Sequence, residues 1–165
     1  YKDIFKAFHI LEKNFGIKYM SKEHCLPHIT IISGRINNNN IEKIYEALNK
    51  IKLLKFKLKS PGMGVFANQN PNLHIRWEQS LRLKITTNII NKKTSKFFHN
   101  INQDSNNSLW VPKTSVAFMD LHYSELDSVF KKTNFLFNNH FVIIKYIYLI
   151  DYTFQETILY TITLK

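Results

Sequence analysis

Two tetrapeptides of the chain share a pattern of proline, basic side chain, any residue and hydroxyl side chain: PHIT at positions 27–30 and PKTS at 112–115. Side chains two positions apart in a β-strand point to the same face, so each basic group would lie beside a hydroxyl. If the two strands faced one another across a cleft, an imidazole, an ammonium and two hydroxyls would converge on a space suited to an anion such as phosphate. The four side chains are His28, Thr30, Lys113 and Ser115.

Both tetrapeptides lie in apolar runs that predict buried strands, over residues 26–32 and 110–118. A single His in a strand is more often a hydrogen-bonded core or edge residue than a catalyst. The second copy, with the same spacing of proline and hydroxyl, favours a functional role for His28 over that structural one.

The composition predicts one globular domain over residues 1–165, since 165 residues with 44% hydrophobic content can bury a substantial core. A domain of this length can be built as two lobes. The single cysteine, Cys25, excludes an intramolecular disulfide and fits a reducing intracellular compartment. His24, Cys25 and His28 have no further ligands at the spacing of zinc sites, so we expect neither a metal nor a cofactor.

No membrane span is predicted, because the most apolar run, residues 141–150, is interrupted by Lys145 and is shorter than the ~20 residues that a spanning helix needs. The sequence begins at Tyr1 rather than at a methionine. It is therefore expected to start inside a longer precursor, in which case an organellar targeting segment would not be visible.

The chain is strongly basic, with 23 Lys and Arg residues against 12 Asp and Glu residues and an isoelectric point near 9.7. Such a balance favours a polyanionic partner such as RNA or a nucleotide phosphate. Only Arg35, Arg76 and Arg82 are arginines. A solvated lysine surface without a dedicated partner is therefore an equally good interpretation of the charge.

Hydrophobic periodicity predicts an α+β fold in which helices and strands alternate. Residues 60–64 contain two glycines but lack the Lys-Ser/Thr of a phosphate loop, so we interpret them as a strand connection or bulge. His74 alternates with apolar neighbours and is expected to line a cleft or meet solvent. Residues 100–108 are expected to form a flexible loop. The predicted helices cover 2–15, 41–51, a part of 78–102, and 124–132, and in the last of them Ser124 and Asp127 have capping-box spacing. The predicted strands cover 26–32, 54–59, 73–77, 110–118, 141–150 and 158–164.

Three segments resemble the two-histidine (2H) phosphoesterase superfamily, the group of 2'-5' RNA ligase-like proteins and cyclic phosphodiesterases. LPHITIISG at 26–34 and LWVPKTSVAF at 109–118 are similar to its two His-x-Thr/Ser motifs, and GMGVFANQNP at 62–71 is similar to the Gly-x-Phe segment between them. The resemblance implies two pseudo-symmetric lobes of antiparallel sheet, with outer helices around a central cleft. The strand that usually opens this fold is not evident before the first helix.

In that superfamily the two imidazoles divide the proton transfers on a cyclic or 2'-5' phosphodiester, and the hydroxyls hold phosphate oxygens. The resemblance therefore implies a catalytic role for His28 and phosphate binding by Thr30 and Ser115. Lys113 stands where the second catalytic His belongs. A lysine has a reference pKa of about 10.4, so Lys113 can supply charge and hydrogen bonds to a phosphate but is a poor base. Its expected catalytic role is that of a slow general acid.

Three hypotheses follow. The chain is a 2H-like protein that binds RNA or nucleotide phosphates after losing most catalysis, or a phosphodiesterase with an altered mechanism. Alternatively, it is a non-catalytic RNA-binding subunit of a ribonucleoprotein assembly, in which the basic surface matters and the cleft is vestigial. We favour the first two over the third. His74, the one histidine on a predicted strand between the two motifs, is a further candidate for the second catalytic group.

Overall fold

The computed structural model of the chain describes residues 2–22, 26–102, 110–153 and 156–165. His24, Cys25 and most of the expected loop at 100–108 lie outside these ranges. The described part is mixed α+β, as the sequence predicts. Its α-helices are α1 (Lys2–Phe15), α2 (Tyr19–Lys22), α3 (Asn38–Asn49), α4 (Leu81–Thr94) and α5 (Leu126–Thr133).

The strands are short and pair in small sheets. Three sheets contain two strands each, β1 with β5, β2 with β7 and β8 with β9, and the fourth has the order β3-β4-β6. Their bounds are β1 (Arg35–Ile36), β2 (Phe56–Lys59), β3 (Gly62–Phe66), β4 (Asn72–Arg76), β5 (Phe98–His99), β6 (Lys113–Ala117), β7 (Phe141–Ile144), β8 (Tyr146–Asp151) and β9 (Thr157–Thr163).

The chain divides into two compact units, each assembled from three separate segments. Unit 1 comprises Tyr1–Ile29, Lys59–Glu78 and Lys113–Val142. Unit 2 comprises Thr30–Leu58, Gln79–Pro112 and Ile143–Lys165.

Unit 1 contains the antiparallel β3-β4-β6 sheet, with α1 packed against both β6 and α5. The apolar face of α1 buries Ile4, Phe8 and Leu11. In β4, Leu73 and Ile75 are completely buried. Side chains alternate between the two faces of a strand, so the other residues of β4 point away from these two.

Unit 2 contains the β8-β9 hairpin, one face of which is covered by helices. Its core joins Ile44 and Leu48 of α3 with Ile90 of α4 and with Leu149 and Ile162 of the hairpin. The two strands are antiparallel, and Leu149 and Ile162 lie on the same face.

Several predicted elements are confirmed, including the first helix, which ends before Gly16 with φ of +70°. The capping box expected at Ser124 and Asp127 is wrong, because α5 begins after Glu125 without a side-chain cap.

The strand predicted at residues 26–32 is also wrong, because no strand is assigned there. In this segment the carbonyl of His28 accepts a hydrogen bond of 2.9 Å from the side-chain hydroxyl of Thr114, a residue of β6.

The two long helices of unit 2 offer a matched test of capping. Ser80 precedes α4, and its Oγ accepts a hydrogen bond of 3.2 Å from the N–H of Leu83. Asn37 occupies the same position before α3 but makes no side-chain cap bond. We expect Ser80→Ala to lower the free energy of unfolding by about 1 kcal/mol, and Asn37→Ala to lower it less. Urea denaturation measures both, and equal losses would contradict the capping role of Ser80.

Candidate functional site

A polar cluster lies on the face of the β3-β4-β6 sheet opposite Leu73 and Ile75. It combines residues from all three strands of unit 1. In the strand register Gly64 is paired with His74, and His74 with Ser115. The cluster consists of Gly64 and Phe66 on β3, Asn72 and His74 on β4, and Lys113 and Ser115 on β6.

Ser115 lies at the centre of a hydrogen-bond network. The Nζ of Lys113 donates to Ser115 Oγ over 2.9 Å. The side-chain amide of Asn72 contacts the same hydroxyl, with Nδ2 at 3.2 Å and Oδ1 at 3.3 Å. A hydroxyl donates one hydrogen bond and accepts two, so these three contacts use the full capacity of Ser115. Ser115 therefore holds the lysine ammonium on this face of the sheet.

His74 lies deeper in the same cluster and is only 2% exposed. Its Nδ1 lies 3.1 Å from the carbonyl oxygen of Asn72. A carbonyl can only accept, so Nδ1 carries the proton and Nε2 carries the lone pair. Burial, opposed by this hydrogen bond and reinforced by the charges of Lys113 and Arg76, lowers the pKa of His74 to about 4. The ring is therefore neutral at neutral pH and adds no charge to the cluster.

Glycine at position 64 makes room for the His74 ring. A Cβ there would lie 2.9 Å from His74 Nε2 and 2.8 Å from Arg76 Cδ, closer than Cβ atoms are found to such neighbours. On the same strand, the ring of Phe66 lies over that of His74, with centroids 4.3 Å apart. The Nζ of Lys113 is 6.0 Å from the Phe66 centroid. One aromatic ring therefore borders both basic side chains.

His28 is joined to the same sheet through its backbone. Its carbonyl accepts the hydrogen bond from Thr114 Oγ1, and that hydroxyl accepts a bond of 3.0 Å from the indole N–H of Trp77. The imidazole Nδ1 of His28 lies 2.7 Å from the carbonyl oxygen of Leu26. This contact places a proton on Nδ1, so in the neutral form of the ring the lone pair lies on Nε2, the form in which an imidazole acts as a base.

The four side chains singled out in the sequence therefore have different surroundings in the structure. Lys113 and Ser115 lie together, as predicted from their spacing. His28 belongs to the same unit and is bonded to the strand that carries them. Thr30 falls in unit 2, where its carbonyl accepts a hydrogen bond of 3.0 Å from the indole of Trp110. Phosphate binding by the Thr30 hydroxyl remains a prediction.

The sequence did not lead us to Asn72 as a site residue, and it did not predict that His74 is buried. Alternation with Leu73 and Ile75 correctly put His74 on the opposite face of its strand, but the burial of that face was not expected. The sequence signal for this burial was the pair of glycines at positions 62 and 64. Because Gly64 has no side chain, the His74 ring can pack against β3. The register of β4 against β6, which brings Asn72 and His74 to Ser115, is not encoded in any local pattern.

The described part of the chain contains neither a group of potential metal ligands nor a helix suited to span a membrane. Within residues 2–22, 26–102, 110–153 and 156–165, no group of three or more His, Cys, Asp and Glu side chains is placed to hold a metal ion. Over the same ranges, no helix has both the length and the apolar character needed to cross a membrane.

Comparison with known proteins adds no assignment. The chain matches no protein-family model, and no curated protein matches its sequence.

Proposed function

We propose that the chain is a 2H phosphoesterase-like protein that binds the phosphate of RNA or of a nucleotide, with weak or lost phosphodiesterase activity. The observation that carries the proposal is the hydrogen bond between Lys113 and Ser115 on β6. It holds a cationic donor and a hydroxyl side by side, and both groups bind phosphate oxygens in proteins.

The proposed ligand carries a cyclic phosphate or a 2'-5' linkage. Lys113 supplies the positive charge and N–H donors to the phosphate oxygens. Ser115 either keeps the ammonium in place or turns its own proton from Asn72 to the phosphate. Phosphate binding by the Thr30 hydroxyl is proposed separately, on the analogy of the two tetrapeptides. The proposed fold is the two-lobed 2H arrangement.

The protonation states of the cluster favour binding over catalysis. Acid–base cleavage of a phosphodiester needs one group that accepts a proton and another that donates one near neutral pH. His28 has the tautomer of a base, but Lys113 replaces the expected partner. His74 does not restore the pair, since its lowered pKa keeps the ring neutral at neutral pH and its one N–H proton, on Nδ1, is held by the carbonyl of Asn72. Turnover is therefore expected to be slow or absent.

A non-catalytic RNA-binding subunit of a ribonucleoprotein assembly is the second candidate. It is favoured by the charge of unit 2, which holds 13 of the 23 Lys and Arg residues but only 5 of the 12 Asp and Glu residues. In this case RNA binding would be salt-sensitive and would not respond to substitutions in the cluster of unit 1.

Titration calorimetry with a 2',3'-cyclic nucleotide monophosphate tests the first candidate. We expect Lys113→Ala to weaken binding by about 10-fold to 100-fold, because a hydrogen bond from a charged group is lost. The matched control is Lys132→Ala, which removes the same charge from an exposed position in the same unit. Equal affinities of the two variants, or no binding by the wild type, would reject a phosphate site at Lys113.

A further inference from the structure

The outer face of the β8-β9 hairpin carries two aromatic rings that the phosphate site does not use. In the strand register Tyr146 is paired with Thr163, and Tyr148 with Thr161. Side chains of directly paired residues share a face of the sheet. These four lie opposite the face that packs Leu149 and Ile162 into the core of unit 2.

This outer face is accessible. Tyr146 is 41% exposed, Tyr148 is half-buried, and both threonines are exposed. The rings of Tyr146 and Tyr148 lie side by side, with centroids 6.0 Å apart and planes tilted by 36°. The hairpin therefore presents two neighbouring rings bordered by hydroxyl groups. Aromatic rings on an exposed sheet are a common platform for stacking the bases of single-stranded nucleic acid.

The charge at one end of the hairpin fits a phosphate backbone. Lys145 immediately precedes Tyr146, and Lys165 lies two residues beyond Thr163. Lys55 is next to this end, because its N–H donates to the carbonyl of Lys165 over 2.8 Å. All three lysines are exposed.

The acidic groups lie at the opposite end of the hairpin. Asp151 and Glu156 flank its turn, and each carboxylate is bonded to a neighbouring side chain, Thr153 and Tyr152 respectively. The hairpin therefore has a basic, aromatic end and an acidic turn. This polarity favours a polyanion with stackable groups over a basic or an apolar partner.

We infer that this face of the β8-β9 hairpin binds single-stranded RNA, with bases stacked on Tyr146 and Tyr148 and phosphates paired with Lys55, Lys145 and Lys165. The inference extends the proposed function from a phosphate group to a stretch of RNA. It rests on unit 2 alone and does not require the Lys113 site.

Fluorescence anisotropy with a labelled oligouridylate of about 12 nucleotides, within the site sizes of such proteins, tests the inference. The oligonucleotide carries hydroxyl ends, so it offers no terminal or cyclic phosphate to the Lys113 site. We expect Tyr146→Ala to weaken binding by about 5-fold to 100-fold, whereas Tyr146→Phe, which keeps the ring, binds like the wild type. The control is Phe135→Ala, which removes a ring that is 63% exposed in unit 1.

Salt dependence separates the lysines from the rings. Lys145→Ala is expected to reduce the slope of log affinity against log salt concentration by about 0.7, the value for one phosphate contact on a single strand. Wild-type affinity in Tyr146→Ala would overturn the stacking platform even if Lys145→Ala binds less tightly, and would point to another partner for the rings. No binding of the oligouridylate by the wild type would overturn the RNA assignment. Either failure leaves the cyclic-nucleotide assay on Lys113 unaffected.

Discussion

Replacing Lys113 by His should raise the hydrolysis of a 2',3'-cyclic nucleotide by about 10²-fold or more, the usual contribution of a general acid or base. His28 has its proton on Nδ1, held towards the carbonyl of Leu26, so Nε2 is the atom that accepts a proton. An imidazole at position 113 would supply a second group that titrates near neutral pH. The measurement is steady-state release of the nucleotide product by the purified wild type and variant.

Two variants make this result specific. Lys113→Arg keeps the positive charge without a usable proton, so it should bind the nucleotide but remain slow. Adding His28→Ala to Lys113→His should abolish the gained turnover, because no base is left. The contrary result is a wild type that hydrolyses the nucleotide and loses this activity in both His28→Ala and Lys113→His. The chain would then be an enzyme that works with lysine in the second position.

Replacing Thr114 by Val should lower the free energy of unfolding by about 2–4 kcal/mol. Thr114 is 4% exposed, and its hydroxyl joins two groups: it accepts from the indole N–H of Trp77 and donates to the carbonyl of His28. Valine has nearly the same shape but can do neither. A buried donor and a half-buried carbonyl would each lose a partner. Chemical denaturation followed by circular dichroism measures the loss.

Two other substitutions isolate the role of the hydroxyl. Thr114→Ser keeps both hydrogen bonds and removes one methyl group, so it should cost only about 1 kcal/mol. Thr161→Val makes the same change at an exposed position on β9 and should have little effect. If Thr114→Val were as stable as the wild type, the bond to His28 would not fix the segment that carries this residue.

The elements that the sequence predicts best are those whose pattern is local. The apolar residues of α1 recur at helical spacing, and Gly16 ends the helix with φ of +70°. The pairing of Lys113 with Ser115 is also local, because it follows from the alternation of side chains along one strand.

The parts that could not be predicted depend on groups distant in sequence. The segment at 26–32 has the apolar character of a strand, but the His28 carbonyl accepts a hydrogen bond from the side chain of Thr114. No local pattern in the sequence predicts this partner. His74 has the spacing of a solvent-facing residue and yet is buried, because β3 and β6 both lie against β4. The conformation of residues 26–32 and the burial of His74 therefore depend on strand register and on packing between residues distant in sequence.

The assembly of each unit from three separate segments has a consequence for how the protein folds. In unit 1, α1 packs against β6 and α5. Both elements are synthesised after the whole of unit 2's first two segments, so α1 cannot complete its packing until then. Contacts between such distant parts slow folding and delay burial of the helix's apolar face. No single cut in the chain releases either unit intact. Expressing one half of the sequence would leave both cores incomplete.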